Sequence, residues 1–278
     1  MFLNLGNRSI DLSSPVIMGV INMTPDSFSD GGRFRTNKEA LLACEKMKDE
    51  GASIIDIGGE STRPGSEKVS AQIQIDRVIP LIQAIKKNMD LVVSIDSGDK
   101  KVIKEAINNG AEIVNDVYAL QNEGSIDIVC KEKKAVCLMH MQGKPLTMQI
   151  NPTYKKLPED AVDFLEDRVS TCIAAGINKN QIFVDPGFGF GKTLQHNLLI
   201  LKFLNAFKKI GVPICVGVSR KKFIGDITNK PIEQRLPGSL MAAMIAVQNG
   251  ANIIRTHDVA ATKDALEVTR ALDLVESI

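Results

Sequence analysis

Residues 91–140 read LVVSIDSGDKKVIKEAINNGAEIVNDVYALQNEGSIDIVCKEKKAVCLMH. Three short β-branched runs, Leu91–Ile95, Glu112–Asn115 and Ala135–Met139, alternate here with two longer amphipathic segments, Lys100–Asn109 and Ser125–Glu132. Strands separated by helices read as parallel strands with helical crossovers. The alternation extends both ways. Upstream lie strand candidates Val16–Ile21 and Ile54–Ile57 with helical patterns Lys38–Glu50 and Ala71–Lys87. Downstream lie strands Ile182–Val184, Ile214–Val218 and Asn252–Arg255 with helices Glu159–Ala175, Leu194–Lys208, Pro231–Asn249 and Lys263–Glu276. Gly51, Gly110, Gly176 and Gly250 stand where helices should stop. Eight such units fit an α/β fold closed into a (β/α)8 TIM barrel, with a doubly wound open sheet as the alternative. Ahead of them, Leu3 and Leu5, then Gly6 and Asn7, then Ile10 and Leu12 predict an N-terminal β-hairpin. Residues 1–278 show no linker, low-complexity stretch or repeat and are expected to form a single domain.

A barrel of this kind carries its chemistry on loops at the C-terminal ends of the strands. Polar residues cluster there. Strand one runs into Asn22–Gly32, strand two into Asp56–Gly65, and strands three and four end in Asp96 and Asn115-Asp116. Strand five ends at His140–Gly143, strand six at Asp185–Thr193, strand seven at Ser219–Lys222 and strand eight at Arg255–Asp258. The opposite side, as in Lys131–Lys134, carries ordinary solvated charge.

The 278 residues are 44% hydrophobic and 24% charged, with a net charge of +1. That balance offers no basic surface for nucleic acid and no acidic tail. The five cysteines include no CxxC pair, which favours buried free thiols in a reducing compartment. No apolar run is long enough for a bilayer, and the N-terminus has no secretory pattern, so a cytoplasmic location without membrane association is expected.

Asp96, Asn115, Asp185 and Lys221 stand at four different strand ends. Two carboxylates, an amide and a cation converging on one mouth suit a flat heterocycle with mixed donors and acceptors, although each alone also fits a structural bond across the rim. Asn22, Arg63, Arg255 and His257 suit phosphate oxygens and a hard cation such as Mg2+, which keeps most of its waters. His140 and His196 read as structural. The run Gly187–Thr193 resembles a phosphate loop but fails it, because Pro186 stands where its first glycine is required. Its glycines instead let backbone and Phe190 approach a ligand. Met139 and Phe190 offer apolar walls for a ring, with core packing as the alternative. The first two loops are long for βα loops and read as lids.

Segments Asn22–Gly32, Asp56–Gly65, Asp185–Thr193, Val218–Lys221 and Arg255–Val259, with His140–Pro145, closely resemble the signature segments of the dihydropteroate synthase family. The resemblance runs from about Val16 to the last helix. It implies a transferase of folate biosynthesis, joining 6-hydroxymethyl-7,8-dihydropterin diphosphate to 4-aminobenzoate to give 7,8-dihydropteroate and diphosphate. It implies that Asp96, Asn115, Asp185 and Lys221 hold the pterin. It implies that Asn22, Arg63, Arg255 and His257 hold diphosphate, with Asn22 a ligand of Mg2+. Phe28, Thr62, Pro64, Phe190 and Ser219 would shape the 4-aminobenzoate pocket, where sulfonamides compete, and Asp56 would order the second loop. Members are typically homodimers. The leaving group sits on a carbon attached to an electron-rich ring, so an SN1-like path through a pterin cation is expected. Asp96, Arg63, Lys221 and Arg255 would serve the chemistry, and Asp26 would also face the cation. Departures are Ser97-Gly98 after Asp96, Tyr118-Ala119 after Asn115-Asp116-Val117, and Lys222 where many members have Ser. Lys222 could supply charge to the aryl carboxylate or point to solvent. The alternatives are a non-catalytic pterin-binding homologue and a pterin-dependent methyltransferase module. The first predicts damage to the two loops; the second is not expected to carry Ser61–Gly65.

Overall fold

The computed structural model describes residues 1–24, 36–61 and 69–275. A hairpin of β1 (Phe2–Asn4) and β2 (Ser9–Asp11) precedes β3 (Val16–Asn22), α1 (Asn37–Asp49), β4 (Ala52–Gly58), α2 (Ala71–Asn88) and β5 (Val92–Asp96). Then come α3 (Lys100–Asn108), β6 (Ile113–Asp116), α4 (Ser125–Lys131), β7 (Ala135–Met139), α5 (Glu159–Ala174), β8 (Ile182–Asp185) and α6 (Leu194–Lys202). The chain continues through β9 (Cys215–Val216), α7 (Lys222–Thr228), α8 (Leu236–Gln248), β10 (Ile253–Thr256) and α9 (Val259–Asp273). The sheet runs β8-β7-β6-β5-β4-β3-β10-β9, all parallel. A parallel bridge from Val184 to Ile214, and the Val184 amide donating to the Pro213 carbonyl at 2.9 Å, join the two ends. The result is a nearly closed (β/α)8 barrel, as expected, and the open sheet is excluded. Among the described residues no helix is long and apolar enough to cross a membrane.

Side chains alternate along a strand, and this parity divides the core in two. Ile17, Ile55, Val93, Val114, Val136, Val184, Val216 and Ile254 face outward into the layer between sheet and helices. Their neighbours Met18, Ile54, Val92, Ile113, Ala135, Phe183, Cys215 and Ile253 face inward and fill the lower barrel. The hairpin closes that lower end, because Leu3, Leu5 and Leu12 belong to the same inner cluster. Arg8 clamps it from outside. Its guanidinium donates to both oxygens of Glu112 at 2.6 and 2.7 Å, and Lys86 donates to Glu112 at 2.9 Å. Arg8→Ala is expected to cost about 1 kcal/mol, since the pair is forked but partly exposed. That is about 2–4 °C in a thermal melt at this chain length; an unchanged melting temperature would show that the clamp adds nothing.

Several boundaries differ from the sequence expectation. The helix expected over Leu194–Lys208 stops at Lys202 and continues as a 3-10 turn, Leu204–Ile210. Leu204, Phe207 and Ile210 are all buried, and only a three-residue period puts them on one face. Within the segment expected as one helix from Pro231, a 3-10 turn over Ile232–Gln234 precedes α8. Strand seven is shorter than Ile214–Val218. Helix α7 was absent from the helical patterns read from periodicity, although the family resemblance implies a helix start at Lys222: it spans only Lys222–Thr228, has no side-chain cap, and lies between Arg220 and Asn229, both at φ +55°. Helix α9 begins at Val259 rather than Lys263. Asp258 makes no capping bond there because its carboxylate accepts the Arg220 fork at 2.9 and 2.6 Å. Gly51, Gly110, Gly176 and Gly250 take φ near +100° after their helices, as expected.

Candidate active site

Two residues above the apolar floor, the inward positions turn polar. Asp56 follows Ile54, Asn115 follows Ile113, Asp185 follows Phe183 and Arg255 follows Ile253. On the longer inward runs Asp96 follows Val92 and Ser94, while Asn22 follows Met18 and Val20. The parity that packs the floor therefore aims these groups into the barrel mouth.

Arg255 is the hub. Its Nε donates to Asp56 Oδ2 at 2.7 Å and its Nη2 to Asp96 Oδ2 at 2.8 Å. Asn115 Nδ2 donates to the same Asp56 oxygen at 2.9 Å. Asp56 is fully buried, so its carboxylate sits under the mouth, bonded to these two groups. The sequence reading placed Asp56 with the second loop; strand parity turns it inward. The second oxygens of Asp56 and Asp96 are buried without a hydrogen-bond partner. Burial pushes the Asp96 carboxyl up to about 7, while Arg255 pulls it down and Asp56 adds to the rise. Burial disfavours the Arg255 cation, yet the Asp56 and Asp96 charges outweigh it and hold its pKa above the ordinary arginine value.

Asp185 is buried, and burial raises its pKa against the pull of a backbone bond and of Lys221 and Arg255. One oxygen accepts from the Gly187 amide at 2.7 Å. Gly187 takes φ +72°, and a Cβ there would overlap the His140 carbonyl oxygen, so the turn rests directly on the end of β7. Beyond it the Phe190 ring lies 4.5 Å beneath the Lys221 ammonium. Met139 is buried at the end of β7, in register with Asp185. Ser219 Oγ accepts the His257 amide at 3.3 Å.

Asn22, Asp96, Phe190, Ser219, Lys221, Arg255 and His257 line a cavity of about 860 Å³, whereas Asp56, Asn115, Met139 and Asp185 are not among its lining residues. The cavity extends outward to Lys222, Phe223, Ile232 and Arg235. Phe28, Thr62, Arg63 and Pro64, with Asp26, lie outside the described residues, as does most of both long loops. Glu60, at the base of the second loop, accepts from the Val69 amide at 2.7 Å and from Gln74 at 3.3 Å. Gln74 in turn accepts from Ser97 at 3.1 Å, next to Asp96. Sequence reasoning missed this chain, and it missed Met148 and Lys192 on the cavity wall. Lys192 lay within the Asp185–Thr193 segment of the sequence reading but was given no role there. His140 and His196 are structural as expected; His196 Nδ1 accepts the Thr193 amide at 3.3 Å in the capping box of α6.

The departures have local explanations. A Cβ on Gly98 would overlap the Tyr118 ring, so Gly98 and Tyr118 fit as a pair. Lys222 points its ammonium to both oxygens of Asp226 at 2.8 Å, with 84% of its side chain exposed.

The mouth of the barrel is thus polar and buried, with carboxylates set against Arg255 and Lys221. Residues 18–257 match the model of the family described as pterin binding enzyme. The dihydropteroate synthase of Haemophilus influenzae is 49% identical over 98% of both chains. A Yersinia pestis dihydropteroate synthase solved with a sulfonamide drug superposes with a TM-score of 0.96 at 43% identity, over 99% of this chain and all of that one. The Xanthomonas albilineans enzyme in complex with 7,8-dihydropteroate superposes at 0.89 and 38% identity, over 99% and 100% of the two chains. The chain belongs to the dihydropteroate synthases among the pterin-binding enzymes.

Proposed function

We propose that the chain condenses 6-hydroxymethyl-7,8-dihydropterin diphosphate with 4-aminobenzoate, releasing diphosphate and 7,8-dihydropteroate, in the cytoplasm and as a homodimer. The observation that carries this is the Asp56–Arg255–Asp96 arrangement beside Asn115 and Asp185. It offers carboxylate oxygens to the N–H groups of a pterin and a guanidinium to an anion within one small volume. In this reading Asp96, Asn115 and Asp185 orient the ring, Lys221 donates to its carbonyl, and Phe190 and Met139 wall it. Arg255, Asn22 and His257 face the diphosphate, joined by Arg63. Ser219, Phe190, Phe28, Thr62 and Pro64 bound the arylamine.

As the carbon–oxygen bond to diphosphate lengthens, negative charge gathers near Arg255 and positive charge spreads into the pterin above Asp96. Arg255 stabilises the first and Asp96 the second. The arylamine nitrogen is neutral at pH 7 and attacks the cation without a strong base. Among the described residues no group of three or more His, Cys, Asp or Glu could hold a metal. One amide oxygen, Asn22 Oδ1, at the cavity wall fits a hard cation that draws its other ligands from diphosphate and water. Bound there, Mg2+ would neutralise leaving-group charge.

The five cysteines are free and four are buried, as suits a reducing compartment. The exposed Met241, Val268 and Leu272 on α8 and α9 offer an apolar face for a second copy.

The test is diphosphate release from the pterin diphosphate, with and without Mg2+ and 4-aminobenzoate. Turnover to dihydropteroate that stops with a chelator and returns on adding Mg2+ is expected. Pterin binding with no release would favour a non-catalytic binding protein instead.

A further inference from the structure

Lys192 takes no part in the chemistry described above. It ends the turn after β8, and 3% of it is exposed. Its ammonium meets three acceptors: His140 Nδ1 at 2.9 Å, the His140 carbonyl at 3.3 Å and the Phe190 carbonyl at 3.0 Å. An ammonium has three N–H donors and accepts nothing, so this set uses all three. With Lys192 charged, His140 Nδ1 accepts and the ring proton sits on Nε2. No carboxylate forms an ion pair with Lys192 among the described residues. Burying such a charge is costly, and burial pushes its pKa down to about 7. A methionine would fill the same space without that cost, so the donors themselves matter.

What they join is specific. Two bonds hold the end of β7, and the third holds the turn carrying Phe190. Gly187 already rests on the His140 carbonyl, so the turn cannot sink, and Lys192 keeps it from lifting. Tyr154 helps from the far side, its hydroxyl donating to the Gly191 carbonyl at 2.8 Å. Above the turn, Phe190 carries Lys221 at 4.5 Å, and both line the cavity.

We propose that Lys192 is a positioning residue: with the Nε2–H tautomer of His140 it clasps the Gly187–Gly191 turn to β7 and so sets the height of the Phe190–Lys221 pair where the arylamine meets the pterin. The inference rests on the proposed function only in taking this cavity as the substrate site. Lys221 and Phe190 also meet the pterin in that reading, so loosening the clasp should weaken both substrates, the pterin less because Asp96 and Asn115 are held by other bonds.

The experiment compares wild type with Lys192→Met. The KM for 4-aminobenzoate should rise about tenfold, while the Kd for the pterin diphosphate, measured by calorimetry without arylamine, should rise less, about threefold, because Asp96 and Asn115 still hold the ring. The chain has three histidines, so ¹⁵N NMR can follow His140, whose Nδ1 resonance should move to the value of an unbonded imidazole nitrogen. If Lys192→Met does not fold, Tyr154→Phe removes another tether of the turn and should raise the same KM about two- to threefold. Equal losses for both substrates, or an unchanged arylamine KM, would overturn the proposal. A wild type that makes no dihydropteroate would sink the functional reading instead, and the His140 resonance would still test the clasp.

Discussion

Arg255→Ala is expected to lower kcat/KM by about 10²–10³ or more and to destabilise the protein at the same time. The two losses have one cause. The guanidinium bridges Asp56 and Asp96 at 2.7 and 2.8 Å, and Asp56 is fully buried. Truncation leaves two buried carboxylates facing each other with no cation between them. Breaking a buried pair by removing one partner costs about 3–5 kcal/mol. At this length that exceeds about 6 °C in melting temperature. Arg255→Lys should recover part of the stability and little of the activity, since one ammonium cannot span both carboxylates and still face a diphosphate. Single-turnover diphosphate release and thermal melts on the same samples separate the effects. An Arg255→Ala enzyme within about threefold of wild-type turnover would remove Arg255 from the anion role.

Asp96→Asn should lower kcat by about 10²–10³ and also change the shape of the pH profile. The Asp96 carboxyl is pushed up to about 7 by burial, against the pull of Arg255. The working form is the carboxylate, which faces the developing cation. The wild-type rate should therefore fall as pH drops through about 7. Asparagine keeps the shape and cannot titrate, so the variant should lose that limb. A limb that survives belongs to another group: Asp185, whose pKa burial also raises, or the substrate diphosphate. A variant with the wild-type rate and the same acid limb would show that the charge on Asp96 does not serve the reaction.

The strands were legible because each is a short β-branched run closed by a polar residue, and all eight were located within a few residues of their true ends. The polar residue at each strand end also marked most of the site. What could not be read was the wiring. Asn115 and Asp56 are 59 residues apart, and Arg255 and Asp56 are 199 apart. Strand parity shows that all three face inward, but only closure of the barrel brings them within bonding distance. Helix α7 was hidden for a local reason. It is seven residues long with a glycine at position 225, and its entry depends on a left-handed Arg220 held by Asp258 from another strand–helix unit. The role of Lys192 was not legible because its partners are His140 and Phe190, one of them on a different strand end.

The hairpin under the barrel has a further consequence. Leu3, Leu5 and Leu12 back the inward strand residues that fill the lower barrel, so the interior is a well and not a tube. Two reactants that share a well must queue. The one that binds against the floor has to arrive before the one that sits above it, and neither can slip past the other. An arylamine that settled first would bar the pterin from its seat. Ordered addition, pterin diphosphate before arylamine, is therefore expected of a site built this way.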